Sequence, residues 1–145
     1  MGCGGTKVRS VKTAQRAVVF SKGGTAPAEN DIFVFWPSSL IPVAPQVEGV
    51  RASIKVENAM ADLTTQLVFQ TTSDGKTWGD GSTPGAVVAL EASPVTGNRV
   101  ATSSWYTDQS KFLLGIRFGV IAGQAAGSDA AFGKVSIAVD LNIRS

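Results

Sequence analysis

The sequence predicts an all-β fold, a two-sheet antiparallel sandwich of the jelly-roll type with an extended basic N-terminal arm. Three observations predict the sandwich: apolar and polar residues alternate in several segments, turns rich in Gly and Pro recur at fairly regular spacing, and no segment has a convincing helical period. Short strands separated by such turns are typical of sandwiches and barrels. A chain of 145 residues is long enough for one domain with its own core.

The clearest strand is predicted over residues 134–144. Apolar residues occupy every second position there, from Val135 to Ile143, and mostly polar residues stand between them. Because successive side chains of a strand point to opposite faces, this strand has one apolar face that other strands must cover. Further strands are predicted over residues 16–21, 31–36, 50–57, 63–71, 86–91, 99–105 and 111–121.

Turn residues delimit these strands. Pro37 is expected to end the strand that begins at Asp31, because proline lacks the amide hydrogen that a ladder needs. Asp74 and Gly75 form a two-residue turn signal, which predicts a hairpin after the strand over residues 63–71. Residues 1–15 show no clear periodicity, so no strand is predicted there.

Charge divides the chain into an arm, residues 1–22, and a β-sandwich domain, residues 23–145. The arm has five cations and no carboxylate, since the first acid is Glu29, and the remainder has a net charge of −3. A basic segment beside a slightly acidic body favours contact with an acidic surface or with phosphate. We therefore predict that the arm contacts neighbouring subunits through four cations: Lys7, Arg9, Lys12 and Arg16.

The composition argues against an enzyme and against a bound cofactor. The chain has no histidine, which removes the commonest general base and the usual metal ligand. Cys3 is the only cysteine, so an internal disulfide and a cysteine metal site are excluded. Asp74 and Asp80 could flank a calcium ion, but calcium takes about six to eight oxygen ligands, so no metal site is predicted.

Hydropathy predicts no contact with a membrane. No apolar run approaches the roughly 18 residues of a membrane span, and the first residues lack the apolar core of a secretory signal. We expect a protein that is made in a cytoplasm.

Aromatic residues near predicted strand ends suggest a ligand platform. Trp78, Trp105 and Tyr106 could stack on sugar rings. Packing in the core or in an interface is the alternative for these large side chains, and the sequence favours it.

A segment in the middle of the chain resembles known virus proteins. Residues 66–78 form a predicted strand that ends in Gln-Thr-Thr-Ser-Asp-Gly-Lys-Thr-Trp, and this segment is similar to hairpins in structural proteins of tailed phages. The resemblance implies a virion component, either a capsid decoration or cement protein or a part of the tail. It would assemble with copies of itself and with other virion proteins.

Two alternatives remain open at this point. One is a carbohydrate-binding β-sandwich module that uses the aromatic platform. The other is a small coat protein whose basic arm neutralises packaged nucleic acid, which predicts binding that weakens with salt.

Overall fold

The computed structural model describes residues 6–11, 17–20, 31–42, 47–59, 63–124 and 133–144, with side chains over most of the last three ranges. A single turn of 3₁₀ helix at Gln109–Lys111 precedes the ninth strand. The strands of the described residues are β1 Thr6–Val11, β2 Ala17–Phe20, β3 Asp31–Pro42, β4 Val47–Glu57, β5 Leu63–Thr72, β6 Val88–Ala89, β7 Val95–Thr96, β8 Arg99–Thr102, β9 Gly115–Gln124 and β10 Gly133–Arg144.

These strands form two antiparallel sheets, which confirms the predicted all-β sandwich. Sheet A has the order β1-β10-β4-β8, with β2 also paired to β10. Sheet B has the order β3-β9-β5-β6, with β7 also paired to β5. Within the described residues, no helix is long and apolar enough to cross a membrane.

The core lies between the two sheets and follows the alternation of the sequence. Every second residue of β4 and β10 is buried on the inner face of sheet A, and alternate residues of β5 and β9 cover it from sheet B. Burial of these aliphatic and aromatic side chains is the main force that holds the sheets together. The core of the described residues includes Val50, Ala52, Ile54, Val56, Leu63, Leu67, Phe69, Ile116, Phe118, Val120, Val135, Ile137, Val139 and Leu141.

Strand β3 is longer than the sequence predicts. It continues through Pro37 to Pro42, where the prediction ends it at the first proline. Its pairing with β9 is irregular, with shifts in register between Val34 and Trp36 and between Trp36 and Ile41. Among the described strands of sheet B its one neighbour is β9, and an edge strand with an irregular ladder tolerates proline because some of its amides need no partner.

Two of the described strands, β1 and β2, lie within residues 1–22, the segment for which the sequence predicts an extended basic arm. Strand β1 runs antiparallel to β10, with Thr6 opposite Arg144 and Val11 opposite Val139. Strand β2 pairs with the beginning of β10. The backbone of β10 supplies hydrogen-bonding groups whatever the side chains of its neighbour are, so a strand without a clear periodicity can pair there. The boundary at residue 22 and the contact with neighbouring subunits stay predictions.

Candidate interaction surfaces

Two of the four predicted contact residues of the arm lie within the described residues. In the pairing of β1 with β10, Lys7 lies opposite Ile143 and Arg9 lies opposite Leu141. Lys12 and Arg16 fall outside the described residues. The structure therefore places the backbone of two of these cations at the β1 side of sheet A.

The outer face of sheet A carries an arginine stacked on a tryptophan. Arg51 alternates with the buried Val50 and Ala52 along β4, so its side chain projects from the outer face. The guanidinium carbon lies 4.5 Å from the centroid of the Trp105 ring, and Nε donates a hydrogen bond of 2.7 Å to Oδ2 of Asp140 on β10. We call Arg51, Trp105 and Asp140 the sheet A stack.

The outer face of sheet B carries a second arginine stacked on a tryptophan. The guanidinium carbon of Arg117, on β9, lies 4.5 Å from the centroid of the Trp78 ring. Its Nε and Nη2 atoms donate hydrogen bonds of 3.0 and 2.8 Å to Oε1 of Gln70 on β5. Burial lowers the pKa of Arg117. We call Arg117, Trp78 and Gln70 the sheet B stack.

The amide group of Gln70 also holds a loop. The Gln70 residue is only 5% exposed, and its Nε2 atom donates a hydrogen bond of 3.1 Å to the carbonyl oxygen of Ala86. Gln70 thus links the loop that follows Trp78 to the outer face of sheet B.

The structure does not bring the three predicted platform residues onto one surface. Trp78 and Trp105 lie over the outer faces of different sheets, and an arginine covers one side of each ring. Tyr106 instead packs against the core, with its ring edge-to-face on Phe69 at a centroid distance of 5.1 Å. Burial, with a smaller contribution from the charge of Asp108, raises the pKa of Tyr106. For Tyr106 the packing alternative is the one that the structure supports.

Two aspartates hold tight turns beside each other. Asp74 Oδ1 accepts hydrogen bonds from the backbone amides of Thr77 and Lys76, each 2.8 Å long, and these bonds lower its pKa. Asp80 Oδ1 accepts bonds from the amides of Thr83 and Ser82, which lower its pKa in the same way. A turn is thus present at Asp74 and Gly75, but in place of the predicted hairpin strand the returning chain forms an isolated bridge, between Thr71 and Gly79.

A shallow depression of about 130 Å³ lies between these turns. Neutral side chains and backbone line it, among them Thr71, Thr72, Ser73, Thr83 and Leu113. Among the described side chains, no group of three Cys, Asp or Glu residues could hold a metal ion.

One polar cluster that the sequence analysis missed joins the two sheets. Arg99 of β8 donates from Nη1 and Nη2 to the two carboxylate oxygens of Glu91, at 2.5 and 2.6 Å. It also donates from Nε and Nη2 to the side-chain and backbone oxygens of Thr65 on β5. We call Arg99 and Glu91 the cross-sheet clamp. The sequence signal for this clamp is weak: a carboxylate, Glu91, precedes the turn at Gly97 and a cation, Arg99, follows it.

Electrostatics favour the ionised clamp. The side chains of Arg99 and Glu91 are 9% and 15% exposed. Burial alone would raise the pKa of Glu91, but the hydrogen bonds from Arg99 and from the Leu67 amide outweigh it, and the net shift is downward. The clamp therefore stays charged at neutral pH.

The chain matches no protein-family model and no characterised protein sequence. It does match solved structures. A structure of the infectious bursal disease virus Gx strain has a TM-score of 0.55 at 10% identity, over 97% of this chain and 33% of that one. The VP2 subviral particle of the same virus has a TM-score of 0.55 at 11% identity, over 97% and 37%.

The chain thus spans about a third of the length of these viral proteins. A third match, to the capsid of cyanophage Pam1, covers 98% of this chain and 87% of that one at 14% identity, with a TM-score of 0.47, which is too low to support a common fold. At 10–11% identity the first two matches concern the fold alone. The chain has a sandwich fold similar to part of a protein in the structures of infectious bursal disease virus and its VP2 subviral particle.

Proposed function

We propose that this chain is a non-enzymatic structural subunit of a homomeric assembly and that it is located in a virion. The observation that carries the proposal is the fold: 97% of the chain aligns with part of a protein of the infectious bursal disease virus. Two packed sheets with an apolar core form a rigid block, which suits a subunit that must keep its shape within a shell.

The more specific proposal is a capsid decoration or cement protein, or a tail component, of a phage or phage-like particle. The resemblance of residues 66–78 to hairpins of tailed-phage proteins supports it. The basic first 22 residues support a contact with acidic surface on neighbouring subunits or on other virion proteins. Because β1 stands at an edge of sheet A among the described strands, its outer side is a place where a strand of a neighbour could pair.

The outer face of sheet A is suited to contact another protein. Ala138, Ser53 and Thr102 lie side by side on three adjacent strands, and the hydroxyl oxygens of Ser53 and Thr102 are 2.9 Å apart. Small neutral groups that already bond each other lose little when water leaves the surface. In the sheet A stack, the charge of Arg51 is balanced by Asp140.

The test is the mass of the full-length protein in solution, measured by light scattering and native mass spectrometry and imaged by electron microscopy. We expect a homo-oligomer or a particle. A protein that stays monomeric at every concentration would overturn the proposal.

The role of the arm needs a separate variant. Replacement of its four contact cations, Lys7, Arg9, Lys12 and Arg16, by Gln removes charge without removing the backbone of β1. The control replaces by Gln the two described lysines that lie outside sheet A, Lys76 and Lys111. We expect weaker assembly for the arm variant alone. Equal assembly of both variants would refute a role for the arm charges.

The same variants distinguish the alternative of a nucleic-acid-neutralising coat protein. That alternative predicts binding to DNA or RNA that falls steeply with salt and is lost in the arm variant.

The carbohydrate-binding alternative now rests on two residues that lie on different sheets. Trp78 and Trp105 are each half-buried on an outer face, whereas Tyr106 packs against the core. Glycan binding that disappears in Trp105→Ala would establish this function. A glycan array without a signal would dismiss it.

A further inference from the structure

We propose that strand β8 forms an antiparallel pair with β8 of a second copy, so that sheet A continues across two subunits. This inference rests on the proposed function and names a self-contact for it. Among the described strands, β8, Arg99–Thr102, stands at the end of sheet A and pairs with β4 alone. An edge strand with open backbone groups is a template for another strand.

The register of β4 and β8 shows which backbone groups of β8 point outward. The amide of Ser103 donates to the carbonyl oxygen of Ala52 at 2.8 Å, so these two residues form a hydrogen-bonded pair. Such pairs alternate with non-bonded ones along an antiparallel ladder. Ala101 therefore directs its backbone groups toward β4, and Val100 and Thr102 direct theirs away from it.

A second observation agrees with this assignment. Side chains are closest in the non-bonded pairs of an antiparallel ladder, and the hydroxyl oxygens of Ser53 and Thr102 lie 2.9 Å apart. In the part of the chain that the structure describes, no further hydrogen bond reaches the outward amides and carbonyls of Val100 and Thr102.

These open groups are arranged so that the strand complements itself. A two-fold axis at Ala101 places Val100 opposite Thr102 of the second copy, and Thr102 opposite Val100 of that copy. Both pairs are then of the hydrogen-bonded type, because all four residues direct their donors and acceptors toward the axis. The contact thus gains four backbone hydrogen bonds. β-Branched side chains lie on the same outer face of the joined sheet, which favours strand pairing.

The exposed valine of β8 and the absence of an unpaired charge on this described strand favour a second copy of the chain, rather than a charged protein, as its partner. The Val100 residue is 78% exposed, well above the other exposed large hydrophobic residues of the described chain, Val95 at 39% and Leu114 at 48%. The one cation of β8, Arg99, is already neutralised by Glu91 in the cross-sheet clamp. Two copies therefore meet without an unpaired charge, and both bury an exposed valine.

The substitution Val100→Lys in the full-length protein tests the contact. The two-fold axis would bring two ammonium groups close together, next to Lys55 of each copy, which lies opposite residue 100 on β4. Urea denaturation of the dilute variant checks that the subunit still folds. We expect the dissociation constant of the β8 contact, measured by analytical ultracentrifugation, to rise at least tenfold. Leu114→Lys is the control, because it adds the same charge at an exposed apolar site outside sheet A, and we expect it to associate like the unmodified protein.

Amide hydrogen exchange supplies a second measurement that needs no variant. The amides of Val100 and Thr102 should exchange rapidly in dilute, dissociated protein and become protected in associated protein, while the amide of Ala101 is protected in both. Assembly that leaves Val100 and Thr102 unprotected, with Val100→Lys assembling normally, would overturn the β8 contact and leave the proposed function standing. A protein that never associates would overturn both.

Discussion

The sheet A stack and the sheet B stack place an arginine over a tryptophan at the same distance, 4.5 Å, on the outer faces of the two sheets. They differ in the group that accepts the hydrogen bonds of the guanidinium. In sheet A it is the carboxylate of Asp140, and in sheet B it is the neutral amide oxygen of Gln70. The first acceptor balances the charge of its arginine and the second does not.

This difference indicates what each stack contributes. Arg51 keeps 34% of its side chain exposed, so the sheet A stack is a surface feature whose ion pair is weakened by solvent. Gln70 is buried, and it joins Arg117 to the loop at Ala86. The sheet B stack therefore fixes a loop to its sheet through directional hydrogen bonds. The same pair of residue types thus has a surface role in one sheet and an anchoring role in the other.

The largest loss of stability is expected when the cross-sheet clamp is changed. Glu91→Gln replaces its carboxylate by an amide, the kind of acceptor that Arg117 has in the sheet B stack. Because Arg99 is only 9% exposed in its side chain, we expect a loss of about 3 kcal/mol in the free energy of unfolding at pH 7. Urea denaturation measures the loss.

The pH dependence of this loss has a definite sign. The pKa of Glu91 is lowered in the folded state, so its stabilising effect is present above the unfolded pKa of about 4.3 and disappears as the pH falls through the lower, folded value. The difference between the two proteins should therefore shrink at pH 3. Glu57→Gln is the control, since Glu57 forms an exposed pair with Lys55 at 3.6 Å and should change little. A difference that is the same at both pH values would contradict the assignment.

The next largest losses in the free energy of unfolding should differ between the two stacks. Gln70→Ala leaves the Ala86 carbonyl and the Arg117 guanidinium without a buried partner, so we expect a loss of about 2 kcal/mol. Asp140→Ala breaks a partly exposed ion pair and should cost about 1 kcal/mol. Denaturation at 0.1 M and 1 M sodium chloride sharpens the contrast, because salt should reduce only the second loss. Equal salt sensitivity would show that the two stacks do not differ in kind.

The smallest effect concerns the arginine–tryptophan contacts themselves. Double-mutant cycles with alanine measure the coupling of Arg117 with Trp78 and of Arg51 with Trp105. Burial lowers the pKa of Arg117, and a less hydrated cation interacts more strongly with a ring, so we expect about 1 kcal/mol in sheet B and about 0.5 kcal/mol in sheet A. The reverse order would contradict the role given to burial.

The sequence predicts the inner faces of the sandwich well and the outer faces poorly. The alternation of apolar and polar residues identifies the inward residues of β4, β5 and β10. A residue in the core is apolar regardless of which strand covers it, so the sequence of one strand is enough to predict its inner face. Arg51 and Trp105 are far apart in the chain, and only the register of β4 with its neighbours brings them together. Such outward contacts depend on register, which leaves no periodic signal.

Two further differences have similar causes. Strand β1 has no apolar period, since it pairs through backbone groups at the side of β10. The predicted aromatic platform required Trp105 and Tyr106 to share a surface. Consecutive residues of an extended segment point to opposite sides, and here Trp105 lies over Arg51 while Tyr106 packs on the core.

The central position of β10 constrains when this protein can fold. Strands β1, β2 and β4 all pair with β10, and Thr6 lies opposite Arg144. A nascent chain leaves the ribosome with its first residues ahead, so these three strands remain without their common neighbour until residues 133–144 have been synthesised. Contacts between such distant residues form slowly. We expect sheet A to close only after translation of its last strand, and the waiting strands are the part of the nascent chain that a chaperone would protect.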